Sequence, residues 1–297
     1  MFLEKMKMKT ISKGYVYIIL SAVIFGCMPL MAKHIYADGA NAMTLVLLRN
    51  AISLPMLFGL AFARRESFSA SPKRIASVVV IGIFGCAITP VLLFSSYNYM
   101  DGGTATVLHF VYPALVLVLE LLFLRGKVRG ASIIAILLCV AGIAFFYPPG
   151  GTLNLTGSIL ALSSGFTYAI YIFLLGKFGR GTMGGYAFSF FATLGSTVTL
   201  LVACLLSDGF SMPQSFGGWL LCIAFALAIN VGAVVLFQNG ALLIGGQKAS
   251  ILSTFEPITS LIVGFAFLNE SVGTLSIIGS ILVISASVLV SVFDKEK

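Results

Sequence analysis

A carboxylate sits where a membrane would least tolerate one. The stretch Lys248–Glu270 reads KASILSTFEPITSLIVGFAFLNE, an apolar run long enough to cross a bilayer, with Glu256 near its middle and Pro257 directly after it. A charge at membrane depth is costly, so Glu256 has to face protein or water rather than lipid. Two chemistries suit it. It binds a ligand amine or exchanges a proton in a cavity, or it is a structural acid bonded to a neighbouring helix or to Arg49. Pro257 frees a carbonyl about one turn earlier, near Ser253, for a ligand or a serine hydroxyl to meet.

A second set lies in the run Thr104–Arg125. The spacing of His109, Tyr112, Val116 and Glu120 predicts one polar helical face turned into the protein. A histidine and a glutamate on such a face suit a proton path. The alternative is a histidine bonded inside the bundle and a glutamate paired with Arg125 or Lys127. Polar side chains also collect late in a third run (Ser95, Ser96, Asn98) and in an eighth (Asn230, Gln238, Asn239), and Tyr168 stands mid-span beside Ser164 and Thr167. Uncharged amides and hydroxyls suit a polar zwitterion such as an amino acid. They equally suit helix–helix hydrogen bonds worth about 1 kcal/mol each. Arg49 falls inside an apolar run, roughly 12 Å of helix from its end, and is a candidate for a cargo carboxylate. Lys33 either snorkels to the surface or closes a gate against Asp38 or Asp101.

These groups need membrane helices to position them. The 297 residues are 59% hydrophobic and 9% charged, with mean hydropathy +1.07, where a soluble chain would be about 25% charged. That composition excludes soluble enzymes and nucleic-acid binders. Ten spans are expected, at roughly 14–34, 41–63, 75–97, 103–124, 129–147, 156–176, 184–206, 217–240, 248–268 and 272–292, each near the ~20 residues a bilayer core requires. Sixteen of the 18 Lys and Arg residues fall in loops and tails on one side, Lys33 alone on the other, and Arg49 within a span. The positive-inside rule then places both termini in the cytoplasm. The five cysteines all lie in apolar runs at no metal-type spacing and read as small apolar residues. No cleavable signal, phosphate-binding loop, H-E-x-x-H or hydrolase triad is evident, so no enzyme, cofactor or metal is expected.

The chain also repeats itself. At an offset of 144 residues, Pro113 falls on Pro257, Leu108 on Leu252, Leu117 on Leu261 and Phe123-Leu124 on Phe267-Leu268. Five spans per half is an odd number, so the second half inserts upside down: an all-α membrane protein of two inverted five-helix repeats, residues 1–150 and 151–297. Paired prolines mark Pro113 and Pro257 as gating candidates.

The order of these features resembles the drug/metabolite transporter superfamily, specifically its EamA-type ten-span members. The matching residues are Gly26 and Lys33 in the first span, Leu48-Arg49, Pro113 with Phe123-Leu124, Ala241-Leu242, Glu256-Pro257 and Leu268-Asn269-Glu270. The chain departs at Gly126, where the family often has Glu, with Glu120 six residues earlier. The resemblance implies a cavity lined by spans 1, 3, 4, 6, 8 and 9, with 5 and 10 peripheral, and a structural or gating role for Arg49. It implies a secondary transporter of the cytoplasmic (inner) membrane that moves a small-molecule cargo, amino acids foremost, outward by alternating access. Its partners are then the cargo and the lipid bilayer, and the buried titratable groups Glu256, His109 and Tyr112 make protons a candidate coupling ion. The alternatives are uptake or exchange of a nucleoside, sugar or vitamin, and, in another class, a non-transporting membrane receptor or assembly protein.

Overall fold

With no water in hydrocarbon, each apolar run must satisfy its backbone within itself, which makes it a helix. A computed structural model of the protein describes residues 2–123, 130–145, 154–178, 183–207, 209–244, 249, 252–271 and 273–293. Every long regular element among them is helical. The ten spans are α1 (Phe2–Gly26 continued by Met28–Ala37), α2 (Ala42–Ala63), α3 (Pro72–Ser96), α4 (Gly102–His109 and Tyr112–Phe123), α5 (Gly130–Phe145), α6 (Leu155–Phe178), α7 (Gly185–Leu206), α8 (Phe216–Ile244), α9 (Phe255–Leu268) and α10 (Thr274–Phe293). Seven are long and apolar enough to cross a membrane, and α5, α9 and α10 add shorter apolar segments among the described residues.

Local chemistry sets the ends. Asn41 and Ser71 accept hydrogen bonds from the amides of Thr44 and Arg74 and so cap α2 and α3, and Ser215 does the same for α8 through Gly218, as short oxygen-bearing side chains do at helix starts. Asn269, at φ 54°, turns the chain out of α9 in a left-handed C-cap.

The packing obeys the repeat. Helix α2 packs on α7, α4 on α9 and α5 on α10. The contacts of α1 with α8 and α9 mirror those of α6 with α3 and α4, and α3 on α7 mirrors α8 on α2. Exchanging the two halves therefore maps the bundle onto itself. Even the irregularities are duplicated. Wide π-helical turns interrupt α3 at Ile83–Ile88 and α8 at Leu227–Ala233, starting 144 residues apart. Helix α4 breaks at Phe110–Val111 and α9 begins after a turn at Thr254, each break starting three residues before its proline, Pro113 or Pro257.

Between these elements the backbones approach closely. A Cβ at Gly26 would lie 2.4 Å from Thr259 Cβ and 2.8 Å from the Glu256 carbonyl, so α1 reaches α9 only because position 26 has no side chain. Small residues at such crossings are how membrane helices gain packing. Gly26→Ala is expected to cost about 1–3 kcal/mol through overpacking, read as a lower unfolding temperature in detergent by Trp219 fluorescence. Gly59→Ala, where a Cβ meets nothing within 4 Å, is the control. Equal melting of Gly26→Ala and wild type would refute the close-packing account.

Candidate functional site

The four interruptions surround one cavity of about 430 Å³. Its wall draws on α1, α2, α3, α4, α6, α7, α8 and α9, while no described residue of α5 or α10 lines it. The lining expected from the sequence is thus extended by α2 and α7.

Glu256 lines the cavity from the first turn of α9. The adjacency Glu256-Pro257 has a physical sense there. A carboxylate is favoured near the positive end of the helix dipole, and a proline in the first turn gives up an N–H that would have no intrahelical partner. Tyr112-Pro113 opens the second segment of α4 in the same way.

The break in α4 turns His109 and Tyr112 into the cavity together. His109 is buried, its Nδ1 sharing a 2.9 Å hydrogen bond with Ser164 Oγ. Its ring centre lies 5.6 Å from Tyr112 and 5.2 Å from Tyr168, and those two tyrosines meet edge-on at 4.7 Å. Tyr171 stacks on Tyr168 at 5.4 Å.

The π-helical turns supply the opposite wall. Pro90 cannot donate to the carbonyl of Cys86 four residues earlier. That carbonyl is taken by Asn50 Nδ2 at 2.8 Å. Asn230, in the mirror turn of α8, points its amide at Ser53 Oγ (3.1 Å) and the Arg49 carbonyl (3.3 Å). Arg49 itself is buried, with its guanidinium 5.3 Å from the centre of the Phe94 ring. Among the described residues neither Arg49 nor Glu256 has an ion-pair or hydrogen-bond partner for its side chain, and Arg49 Nε is buried without one.

One end of the cavity is shut. Lys33 Nζ lies 2.7 Å from Glu270 Oε1, and Glu270 also accepts the amides of Gly102 (2.9 Å) and Gly103 (3.3 Å) at the start of α4. One carboxylate thereby ties α1, α9 and α4 together and satisfies a helix N-terminus that Asp101 leaves uncapped. At the other end, where the basic loops lie, the wall runs down to Leu175, Ser189 and the exposed Gly185.

Of the candidates read from the sequence, Glu256, His109, Tyr112, Tyr168, Asn230 and Arg49 meet at this cavity, and Pro113 and Pro257 adjoin the breaks beside it. Three do not reach it. Asn98 is exposed in the turn after α3. Ser253 bonds the Ala249 carbonyl of its own chain at 2.9 Å. Glu120 is absent from the lining, because the break at Phe110–Val111 interrupts the single face expected through residues 109, 112, 116 and 120. The side chain of Gln238 lies outside the described residues. Lys33 pairs with Glu270 rather than with Asp38 or Asp101. Asp38 instead turns to the start of α8, where hydrogen bonds from Ser215 hold its carboxyl below the usual carboxylate range. Burial raises that of Asp101. Asn50, Cys86 and Thr193 are cavity residues that the sequence reading missed. The legible signal was Pro90, whose freed carbonyl requires a donor such as Asn50.

Two inverted helical repeats around one central cavity, sealed at one end, define a membrane carrier. The chain belongs to the EamA-like transporter family, whose model matches residues 12–147 and 155–292. It is a multi-pass membrane transporter with a small-molecule substrate. It is 24% identical to YicL, an uncharacterized inner membrane transporter of Salmonella typhimurium, over 96% of this chain and 97% of that one. It is likewise 24% identical to the uncharacterized transporter YcbK of Bacillus subtilis, over 93% and 92%. A solved crystal structure matches it in fold with a TM-score of 0.63 at 15% identity, over 94% of this chain and 96% of the other.

Breaking the Lys33–Glu270 contact is expected to loosen the sealed end. With the five native cysteines replaced by alanine, a Met28→Cys reporter in the cavity wall should resist an impermeant maleimide added at the Lys33 face. Adding Glu270→Ala should raise its labelling about fivefold, as for ~1 kcal/mol removed from closure. Unchanged labelling would show that other contacts hold this end.

Proposed function

We propose that this protein exports small amino-bearing metabolites, amino acids foremost, across the cytoplasmic membrane by alternating access. The observation that carries this reading is Glu256: a carboxylate without a side-chain partner among the described residues, facing a cavity walled in part by tyrosine rings. An ammonium group is the ligand such a wall recognises, through the charge of the acid and the electron-rich faces of the rings.

The cavity size supports a small cargo, since small-molecule sites run from about 300 to 1,000 Å³. The direction rests on topology. With the basic loops in the cytoplasm, the sealed Lys33–Glu270 end faces outward and the cavity reaches toward the cytoplasm, where a metabolite would be loaded. The repeats 1–150 and 151–297 are the units that rock about Glu256, Tyr112 and His109, and the breaks before Pro113 and Pro257 are where α4 and α9 bend. Protons are the coupling ion in this reading, with Glu256 exchanging a proton for the cargo ammonium.

Counterflow in proteoliposomes tests it. Vesicles loaded with unlabelled amino-acid pools should accumulate the matching labelled amino acid, with saturation. In a companion uphill assay a proton ionophore should abolish concentration of the cargo. Glu256→Gln should remove the response to a pH gradient. Transport indifferent to both the gradient and Glu256→Gln would end the coupling idea. Exchange of nucleosides with silence across amino acids would replace the cargo.

A further inference from the structure

We infer that Arg49 is the anion-binding residue of the cavity, so that the cargo must present a carboxylate as well as an ammonium group. This rests on the reading above for the ammonium end. The carboxylate end is argued separately, from Arg49 and its surroundings.

Arg49 is 8% exposed, mid-span in α2, and its side chain lines the cavity. A guanidinium in such a place ordinarily meets a carboxylate, because removing it from water uncompensated is expensive. Here no described residue supplies one. Glu256, the acid on the cavity wall, lies outside ion-pair distance, and Glu270 is committed to Lys33 and to the amides of Gly102 and Gly103.

The surroundings hold the guanidinium rather than neutralise it. Phe94 offers a ring face at 5.3 Å, which favours the cation without using its N–H donors. Asn230 fixes the Arg49 backbone through its carbonyl, and the adjacent Asn50 is anchored on the π-helical turn of α3. Two duplicated irregularities, one from each repeat, thus converge on the backbone at Arg49-Asn50, from which the guanidinium extends. A fork of donors left free over a cavity matches a planar carboxylate in two-point contact, which a lysine in the same place would not reproduce.

Among the described residues the cavity wall then carries one cationic and one anionic side chain, Arg49 and Glu256, that do not form an ion pair with each other. Its complement is a zwitterion. An amine lacking a carboxylate would satisfy Glu256 and leave Arg49 bare. A sugar or nucleoside would leave both.

The test compares pairs of compounds differing only at the carboxylate. Purified wild-type protein is challenged with L-leucine and leucinamide, and with L-phenylalanine and phenylalaninamide. The readouts are thermal stabilisation and inhibition of counterflow in the amino-acid pool. The acid is expected to be preferred over its amide by about tenfold or more, as for a charged hydrogen-bonding site missing its partner. Arg49→Gln should erase that preference while leaving amide binding within about twofold, and Arg49→Lys should fall between, since it keeps charge but not the fork. Retention of an Asn230-dependent melting profile, compared with Asn230→Ala, shows that the Arg49 variants are folded. If Arg49→Gln is unstable, wild-type discrimination between acid and amide decides alone. Equal treatment of acid and amide by wild type, or an unchanged preference in Arg49→Gln, overturns the assignment. A carboxylate solute other than an amino acid, bound only while Arg49 is present, would overturn the amino-acid reading and uphold Arg49. Exchange confined to solutes without a carboxylate would overturn both.

Discussion

Every backbone carbonyl released inside a bilayer must find a donor, and that constraint organises this protein. Its helices are broken or widened where the cavity lies, and each irregularity frees a carbonyl far from water. The donors arrive from other helices. Ser21 of α1 meets the Ala233 carbonyl at the end of the α8 π-turn (2.7 Å). Asn50 of α2 meets Cys86 (2.8 Å), Ser260 of α9 meets Gly26 (3.0 Å), and Ser287 of α10 meets Phe110 (3.0 Å). Three of these four ties join one repeat to the other. The irregularities that make room for a cargo are therefore also the points at which the halves are fastened. A motion that relocates the opening has to exchange these bonds as sets, which suits switching between discrete states better than gradual deformation.

The charges follow a different logic. The acid at the sealed end is fully engaged, by Lys33 and two helix-terminal amides. The two charged groups in the cavity, Arg49 and Glu256, have no comparable partner among the described residues. Breaking a satisfied buried pair leaves an uncompensated charge, so such a pair works as a lock. Leaving charges unsatisfied makes them receptive to whatever brings the complementary group. Within one bundle the same residue types are thus fully partnered at one depth and unpartnered among the described residues at another.

Much of this could be read from the residues. Hydropathy and the alternation of basic loops placed all ten spans, because bilayer thickness and loop charge act on composition directly. The twin prolines foretold the twin breaks, since a missing N–H has the same effect wherever it occurs. Glu256, His109, Tyr112 and Tyr168 were legible as cavity residues because lipid forbids them elsewhere. The failures have equally definite causes. Glu120 was placed on the face of His109 by helical spacing, which a break at Phe110–Val111 does not preserve. Asn98 looked like span three and lies in the turn beyond it. Lys33 was matched to aspartates near it in the pattern of loops, whereas Glu270 comes from the far end of the other repeat, a distance no local pattern reports. The π-helical turns were invisible to hydropathy, although Pro90 signalled the first.

The repeat makes one last contrast readable. Shifting by 144 residues sets Lys33 on Lys177 and Glu270 on Gly126. The lysine of the lock is duplicated and its acid is not. Gly126 lies outside the described residues, but a residue without a side chain has no carboxylate to offer in any conformation. Closing the basic end must then use other contacts. Near that end Glu66 accepts the Ala187 amide at 2.8 Å and Arg74 donates to the Phe178 carbonyl, so α2 and α3 are fastened to α7 and α6 while the cavity reaches toward it. Symmetry of fold thus coexists with asymmetry of locks. A scaffold built by duplication thus carries at one end an ion pair that its mirror position lacks. In this structure the paired end is shut and the cavity reaches toward the basic end.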